Sequence, residues 1–218
     1  MSKSLPNVHV VDDDASFRTA MGDLLSACGY QVVLYESADH LLKTPPGPDP
    51  GCILLDVQMA GLSGPQAQGQ LAELGCALPI VFISGRGDIP TTVQAMKAGA
   101  EDFLTKPVSK EKLLPAIERA LVRNRDLQEQ QGRTADLRSR LAQLSTRERE
   151  VFDLLVRGKP HKQIAFELNV SERTIKAHRH NVMQKFHVQS LAELAVLAER
   201  LQLLPMSVAQ HPSSGANS

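Results

Sequence analysis

"NVHVVDDDASF", Asn7–Phe17, sets three adjacent aspartates directly behind an apolar run. Val8, Val10 and Val11 read as the end of a buried strand. Neighbouring carboxylates repel one another, and a buried one without a partner is costly. Two readings follow. In one, the triplet is a solvated turn and Asp14 caps the next helix. In the other it is part of a cation site, and further groups must reach the same place from elsewhere in the chain.

The surrounding pattern favours the second reading. Between residues 5 and 125, short apolar runs alternate with helical stretches. Strands are expected at Val8–Val11, Gln31–Tyr35, Cys52–Leu55, Ile80–Ile83 and Asp102–Leu104. Helices are expected at Ala15–Cys28, Ala38–Leu42, Pro65–Leu74 and Ile89–Ala98, with one more from near Ser109. This alternation implies an α/β fold, a doubly wound parallel sheet covered on both faces. "TPPGPDPG", Thr44–Gly51, is read as a loop inside that domain, because strand and helix alternate again after it. Side chains at the carboxyl ends of such strands converge on a crevice. The runs end in Asp12 and Asp13, then Asp56, Ser84 and Lys106. Three carboxylates tolerate one another if a hard cation sits among them, and Mg2+ suits oxygen ligands.

A long helix follows from Lys110, with Leu113, Ile117, Leu121 and Leu127 on one side. Pro115 should kink it or tighten its first turn near Leu114. "RNRDLQEQQGRTADLRSR", Arg123–Arg140, is charged and reads as a partly exposed helical linker. Residues 144–204 are helical throughout. Ser145 and Glu148 have capping-box spacing, and Gly158 with Pro160 ends that helix. The small, polar residues 205–218 are expected to be disordered.

Charge separates the two ends. The chain has 24 basic and 24 acidic residues, but 1–126 hold 11 basic and 15 acidic, whereas 144–218 hold 10 and 7. An acidic front and a basic rear suggest a sensor joined to a polyanion binder. Cys28, Cys52 and Cys76 are odd in number and widely spaced, as reduced core residues would be. With no apolar leader and no run of membrane-spanning length, a cytoplasmic protein is expected.

"VVDDD", "LLDVQMAGLSG" and "SGRGDIPTTVQAMKAGAEDFLTKP" resemble, over residues 6–125, the receiver domain of FixJ-like two-component response regulators. The resemblance implies a flavodoxin-like sheet of order 2-1-3-4-5. It implies that Asp56 accepts a phosphoryl group from a sensor histidine kinase, with Lys106 beside it. Mg2+ would be held by Asp13, Asp56 and the Gln58 carbonyl, and by Asp12 through a water. Ser84 and Phe103 would be the switch pair, and the Lys106–Pro107 bond would be cis. One departure is Ala60, where the family usually has proline. No separate substrate would be turned over, so the protein would not be an enzyme beyond its own phosphorylation and dephosphorylation.

At the other end, "KQIAFELNVSERTIKAHRHNVMQKF" has the layout of a helix-turn-helix. Lys162–Leu168 would be the supporting helix, Asn169–Val170 the turn, and Ser171 the cap of the recognition helix. Ile175, Val182 and Phe186 share its core face, while Arg173, Lys176, Ala177, His180 and Gln184 lie opposite. His178 and His180 are about 200° apart around the helix and cannot clamp one metal ion. Residues 144–204 resemble the LuxR-type DNA-binding domain. In that family the positions of Lys176, Ala177 and His180 meet base edges, and Lys162, Thr174 and Arg179 are phosphate candidates. Leu191, Leu194, Leu197 and Leu201 read equally as a dimer contact and as core.

The whole chain thus reads as a receiver (1–125), a helical linker continuing its fifth helix (126–143) and a DNA-binding domain (144–204). Its partners would be the kinase, promoter DNA, a second copy on phosphorylation and RNA polymerase, with no membrane. Two other readings are open to these motifs, and the first fails. "DDDAS" also fits the start of haloacid-dehalogenase-like phosphatases, but that leaves Asp56 without a role. The basic helices could instead bind a protein partner.

Overall fold

The computed structural model describes residues 5–47, 49–85 and 89–203. The proposed tail, 205–218, lies outside them. The chain divides into two compact units, Met1–Glu129 and Gln130–Ser218.

In the first unit the strands are β1 (Asn7–Val11), β2 (Gln31–Tyr35), β3 (Gly51–Asp56), β4 (Ile80–Ser84) and β5 (Asp102–Thr105). They form one parallel sheet in the order β2-β1-β3-β4-β5. The helices are α1 (Ala15–Ala27), α2 (Ala38–Lys43), α3 (Gly64–Glu73), α4 (Ile89–Lys97) and α5 (Lys110–Ala142). Strand alternation sorts the side chains onto two cores. Val8, Val10, Cys52, Leu54, Val81 and Ile83 face α1 and α5, with Leu25, Leu113 and Ile117. Val11, Ile53, Leu55, Ile80 and Phe82 face α2, α3 and α4, with Leu41, Leu71 and Ala95. Every residue of β3 and β4 is buried. Each large apolar side chain enclosed this way contributes about 1.5–3 kcal/mol, which fixes the register of the strands that end at the rim.

Local chemistry sets the helix ends. Asp14 caps α1, its carboxylate accepting from the amides of Ser16 and Phe17. Gly64 opens α3 where a Cβ would lie 2.5 Å from the Asp56 carbonyl oxygen and 2.9 Å from Phe82; only glycine lets α3 start this close to the end of β3. Thr44–Gly51 joins α2 to β3 inside the sheet domain, as expected. The buried Asn124 side chain on α5 accepts the Gly51 amide proton at 3.2 Å. α5 runs through Pro115 and continues to Ala142. In its first turn the Lys112 amide donates to the Ser109 carbonyl three residues back, at 3.1 Å, a tightening just ahead of the proline.

The second unit contains the last residues of α5, then α6 (Thr146–Val156), α7 (His161–Glu167), α8 (Glu172–Phe186) and α9 (Leu191–Arg200). The capping box forms: Ser145 Oγ accepts the Glu148 amide proton and Glu148 accepts that of Ser145. Lys185 reaches the same carboxylate at 2.7 Å. These bonds, that of Lys185 first and then those of Ser145, hold Glu148 down at about 2. Phe152 and Phe186 stack with centroids 5.2 Å apart, in a core with Leu137, Val182, Leu194, Ala198 and Leu201. A second cluster joins Val151, Leu155, Ile164, Ala165 and Ile175. In α9, Leu194 faces the core while Leu191 and Val196 are exposed.

Candidate functional site

The carboxyl ends of β1, β3, β4 and β5 meet as the sequence pattern requires. Asp12 and Asp56 are almost fully buried, at 1% and 4% exposure, and Ser84 is fully buried at the end of β4. Lys106 follows β5 after Thr105, and its bond to Pro107 is cis. Its Nζ donates to Asp12 Oδ2 at 2.6 Å and pairs with Asp56 Oδ1 at 2.8 Å. Thus one ammonium bridges two buried carboxylates from different strands. The other oxygens are also engaged. Asp12 Oδ1 accepts the Asp14 amide proton at 2.9 Å, and Asp56 Oδ2 that of Gln58 at 2.8 Å.

Electrostatics follow from this enclosure. Burial pushes the Asp56 carboxyl above its usual range, Lys106 opposes that rise, and the Asp12 charge adds to it. For Lys106, burial pulls downward, but the bonds to Asp12 and Asp56 leave the ammonium raised overall. The site is therefore a carboxylate–lysine–carboxylate arrangement at the open edge of a dry core.

Asp13 behaves differently. It is exposed, and its Oδ2 accepts the Ala60 amide proton at 2.9 Å. Among the described residues, no three acidic, histidine or cysteine side chains converge closely enough to hold a metal ion. The donors themselves suit a hard divalent cation, being carboxylate oxygens on one rim. Phe103 is half-buried beneath this rim, packed on the α2–α3–α4 side with its ring 6.4 Å from Phe82.

Three features of the rim escaped the sequence pattern. The Phe17 ring lies under Lys106, 4.2 Å from Nζ to its centroid, a cation–π contact that fixes the ammonium. Arg18 Nη1 donates to the Asp12 carbonyl at 2.6 Å. The third is the Ala60 amide. The only sequence signal was that Asp14 starts a helix, which puts Phe17 and Arg18 in its first turn.

In the second unit, α7 and α8 flank a turn containing Asn169 in the left-handed region, at φ 52°. Ser171 caps α8 by accepting the Thr174 amide proton. Ile175, Val182 and Phe186 are buried, while Arg173, Lys176, Ala177, His180 and Gln184 are exposed or nearly so. Lys162 on α7 is exposed too. Thr174 is half-buried with its hydroxyl 2.8 Å from that of Ser171. Arg179 is half-buried as well, and among the described residues its enclosed Nε has no hydrogen-bond partner.

A doubly wound domain with an acid–lysine rim, followed by a helix-turn-helix with a cationic outer face, defines a signal-receiving DNA-binding regulator. Comparison with known families agrees. The response regulator receiver domain matches residues 8–118, and the luxR family of bacterial regulatory proteins matches residues 142–198. Response regulator protein TodT of Pseudomonas putida is 42% identical over 202 residues, covering 93% of this chain and 89% of that protein. Transcriptional regulatory protein FixJ of Bradyrhizobium diazoefficiens is 38% identical over 198 residues, covering 91% and 97%. Among solved structures, the response regulator StyR is 43% identical with a TM-score of 0.77, covering 90% of this chain and all of that one. Full-length FixJ from B. japonicum is 37% identical with a TM-score of 0.57, covering 93% and 100%. The chain belongs to the two-component response regulators that join a receiver domain to a LuxR-family DNA-binding domain.

Proposed function

We propose that Asp56 accepts a phosphoryl group from a sensor histidine kinase and that this controls promoter binding through α8. The observation that carries the reading is the Lys106 ammonium set 2.8 Å from Asp56 at the end of β3. Asp56 Oδ1 is the nucleophile. Lys106 holds it before transfer and then pairs with an oxygen of the incoming group. The Gln58 amide, 2.8 Å from Oδ2, keeps the carboxylate oriented for in-line attack. Asp13, Asp56 and the Gln58 carbonyl would hold Mg2+, with Asp12 acting through a water. When bound, the ion neutralises charge that builds on the transferred oxygens.

Ser84 and Phe103 would carry the change outward from β4 and β5. Their movement would favour a pre-existing active state. The exposed Val93, Met96 and Val122 on α4 and α5 support a receiver face that pairs with a second copy. Two recognition helices would then engage paired half-sites, with Lys176, Ala177 and His180 toward bases, beside Arg173. Lys162, Thr174 and Arg179 would be directed at phosphates. In this reading residues 1–125 are the receiver, 126–143 the linker and 144–204 the DNA-binding domain. The protein acts in the cytoplasm, with RNA polymerase as its downstream partner.

The test compares wild type with Asp56→Asn. A small phosphodonor should label the wild type, shift it toward dimer and tighten binding to its operator, and the substituted chain should do none of these. Equal labelling of both would remove Asp56 from the mechanism. Footprinting across a salt series separates groove binding from a protein-docking role, since a groove binder weakens steeply with salt yet protects a defined site.

A further inference from the structure

Among the described residues at the ends of β1 and β3, Asp13 is the carboxylate that the lysine does not hold. Asp12 and Asp56 both pair with Lys106, whereas Asp13 is tied by its Oδ2 to the Ala60 amide, across 47 residues of chain. That bond joins the loop after β1 to the loop after β3. It exists because residue 60 has an N–H to give; a proline there would have none. The Asp56 oxygens are already engaged by Lys106 and the Gln58 amide. A cation on this rim therefore needs Asp13, and Asp13 must turn inward to supply it, since among the described residues no three acidic side chains converge as they stand.

We propose that the Ala60 amide is a latch on Asp13, competing with a divalent cation for that carboxylate and so lowering the rim's affinity for the ion. The inference rests on the reading of this rim as a Mg2+ site. The latch tunes and does not block. Asp13 is exposed, water replaces the amide when the bond breaks, and the net cost of release is a fraction of that for a buried charged hydrogen bond. A cation thus exchanges one weak tie for direct coordination, and loop 57–63 is released from β1 in the same event.

The experiment is calorimetric titration of the full chain with MgCl2, wild type against Ala60→Pro. Removing the amide should tighten Mg2+ binding roughly three- to tenfold. Equal or weaker binding by the proline chain overturns the latch while leaving the metal site in place. If neither chain binds Mg2+, the metal-site reading fails and the latch fails with it. A second measurement needs no variant. In 15N-labelled wild type, saturating Mg2+ should move the Ala60 amide proton upfield and speed its exchange with solvent. An Ala60 amide unchanged at saturation also overturns the latch, whether or not the proline chain folds.

Discussion

The two charged regions of this molecule are built on opposite principles. At the receiver rim, Asp12 and Lys106 meet from positions 94 residues apart, and every oxygen of Asp12 and Asp56 has a donor. On α8, Arg173, Lys176 and His180 are neighbours in sequence and exposed to solvent. The rim holds its charges in a dry, preorganised setting, where a single proton or phosphoryl group alters the balance among all of them. The helix keeps its charges hydrated, where they are cheap to maintain and free to exchange water and counterions for phosphates. The first arrangement suits chemistry and switching, the second reversible recognition of a long polyanion.

Loss of Lys106 should disturb the rim more than any other single change. Lys106→Met should slow labelling by a small phosphodonor roughly 10²–10³-fold, the usual effect of removing one charge stabiliser from a dry site. It should also raise the Asp56 carboxyl further, because only the Gln58 amide would then oppose burial and the Asp12 charge; a 13C titration of the aspartate carboxyls reads that shift. An unchanged Asp56 titration would show that the lysine does not govern the rim. On the hydrated side the expected losses are smaller and separable. Lys176→Ala should cost about 1–3 kcal/mol on the specific site and relax preference at one base position. Lys162→Ala should weaken all sequences alike and lower the salt slope by about one. Identical salt slopes for the two variants would deny the division between base and phosphate contacts.

The smallest effect lies in a third electrostatic setting, the Glu148–Lys185 pair. Glu148 sits at about 2 in the fold against an ordinary 4.5. A depressed carboxylate contributes stability that is fully present above pH 4.5 and is lost as pH falls through about 2. Lys185→Met should therefore lower the melting temperature of the C-terminal unit at about pH 6, with the gap from wild type closing as pH falls toward about 2. A gap independent of pH would assign the loss to packing of the lysine stem.

Much of this was legible in the sequence because periodicity and burial are local. β2 spans the same residues as its expected run, Gln31–Tyr35, and the other strands extend only a residue or so beyond theirs. Asp14, Ser145 and Ser171 cap where their spacing says they should, since a cap needs only its own first turn. The rim was legible for the same reason: each functional residue is among the first polar groups after an apolar run. Phe17 under Lys106 and Ala60 on Asp13 were not legible, because they depend on how two loops lie across each other. The Asn124–Gly51 bond also escaped, since nothing near Asn124 marks it as a core residue. Pro115 lies inside one continuous helix, and the tightened first turn expected ahead of it has a counterpart in the Lys112 amide, which donates to the Ser109 carbonyl three residues back. For α9 the core reading holds for Leu194 and Leu201, which are buried with Ala198, while Leu191 and Val196 are exposed.

Leu137 has a practical bearing. It belongs to α5, yet it is 8% exposed within the cluster of Phe152 and Phe186, and Leu141 packs against the same cluster. A fragment trimmed to begin at residue 144 would leave those aromatics facing the space of Leu137 and Leu141, where a single buried leucine is already worth about 2–5 kcal/mol. Anyone excising the reader from its receiver should cut ahead of Gln130 and carry the last turns of the connecting helix along.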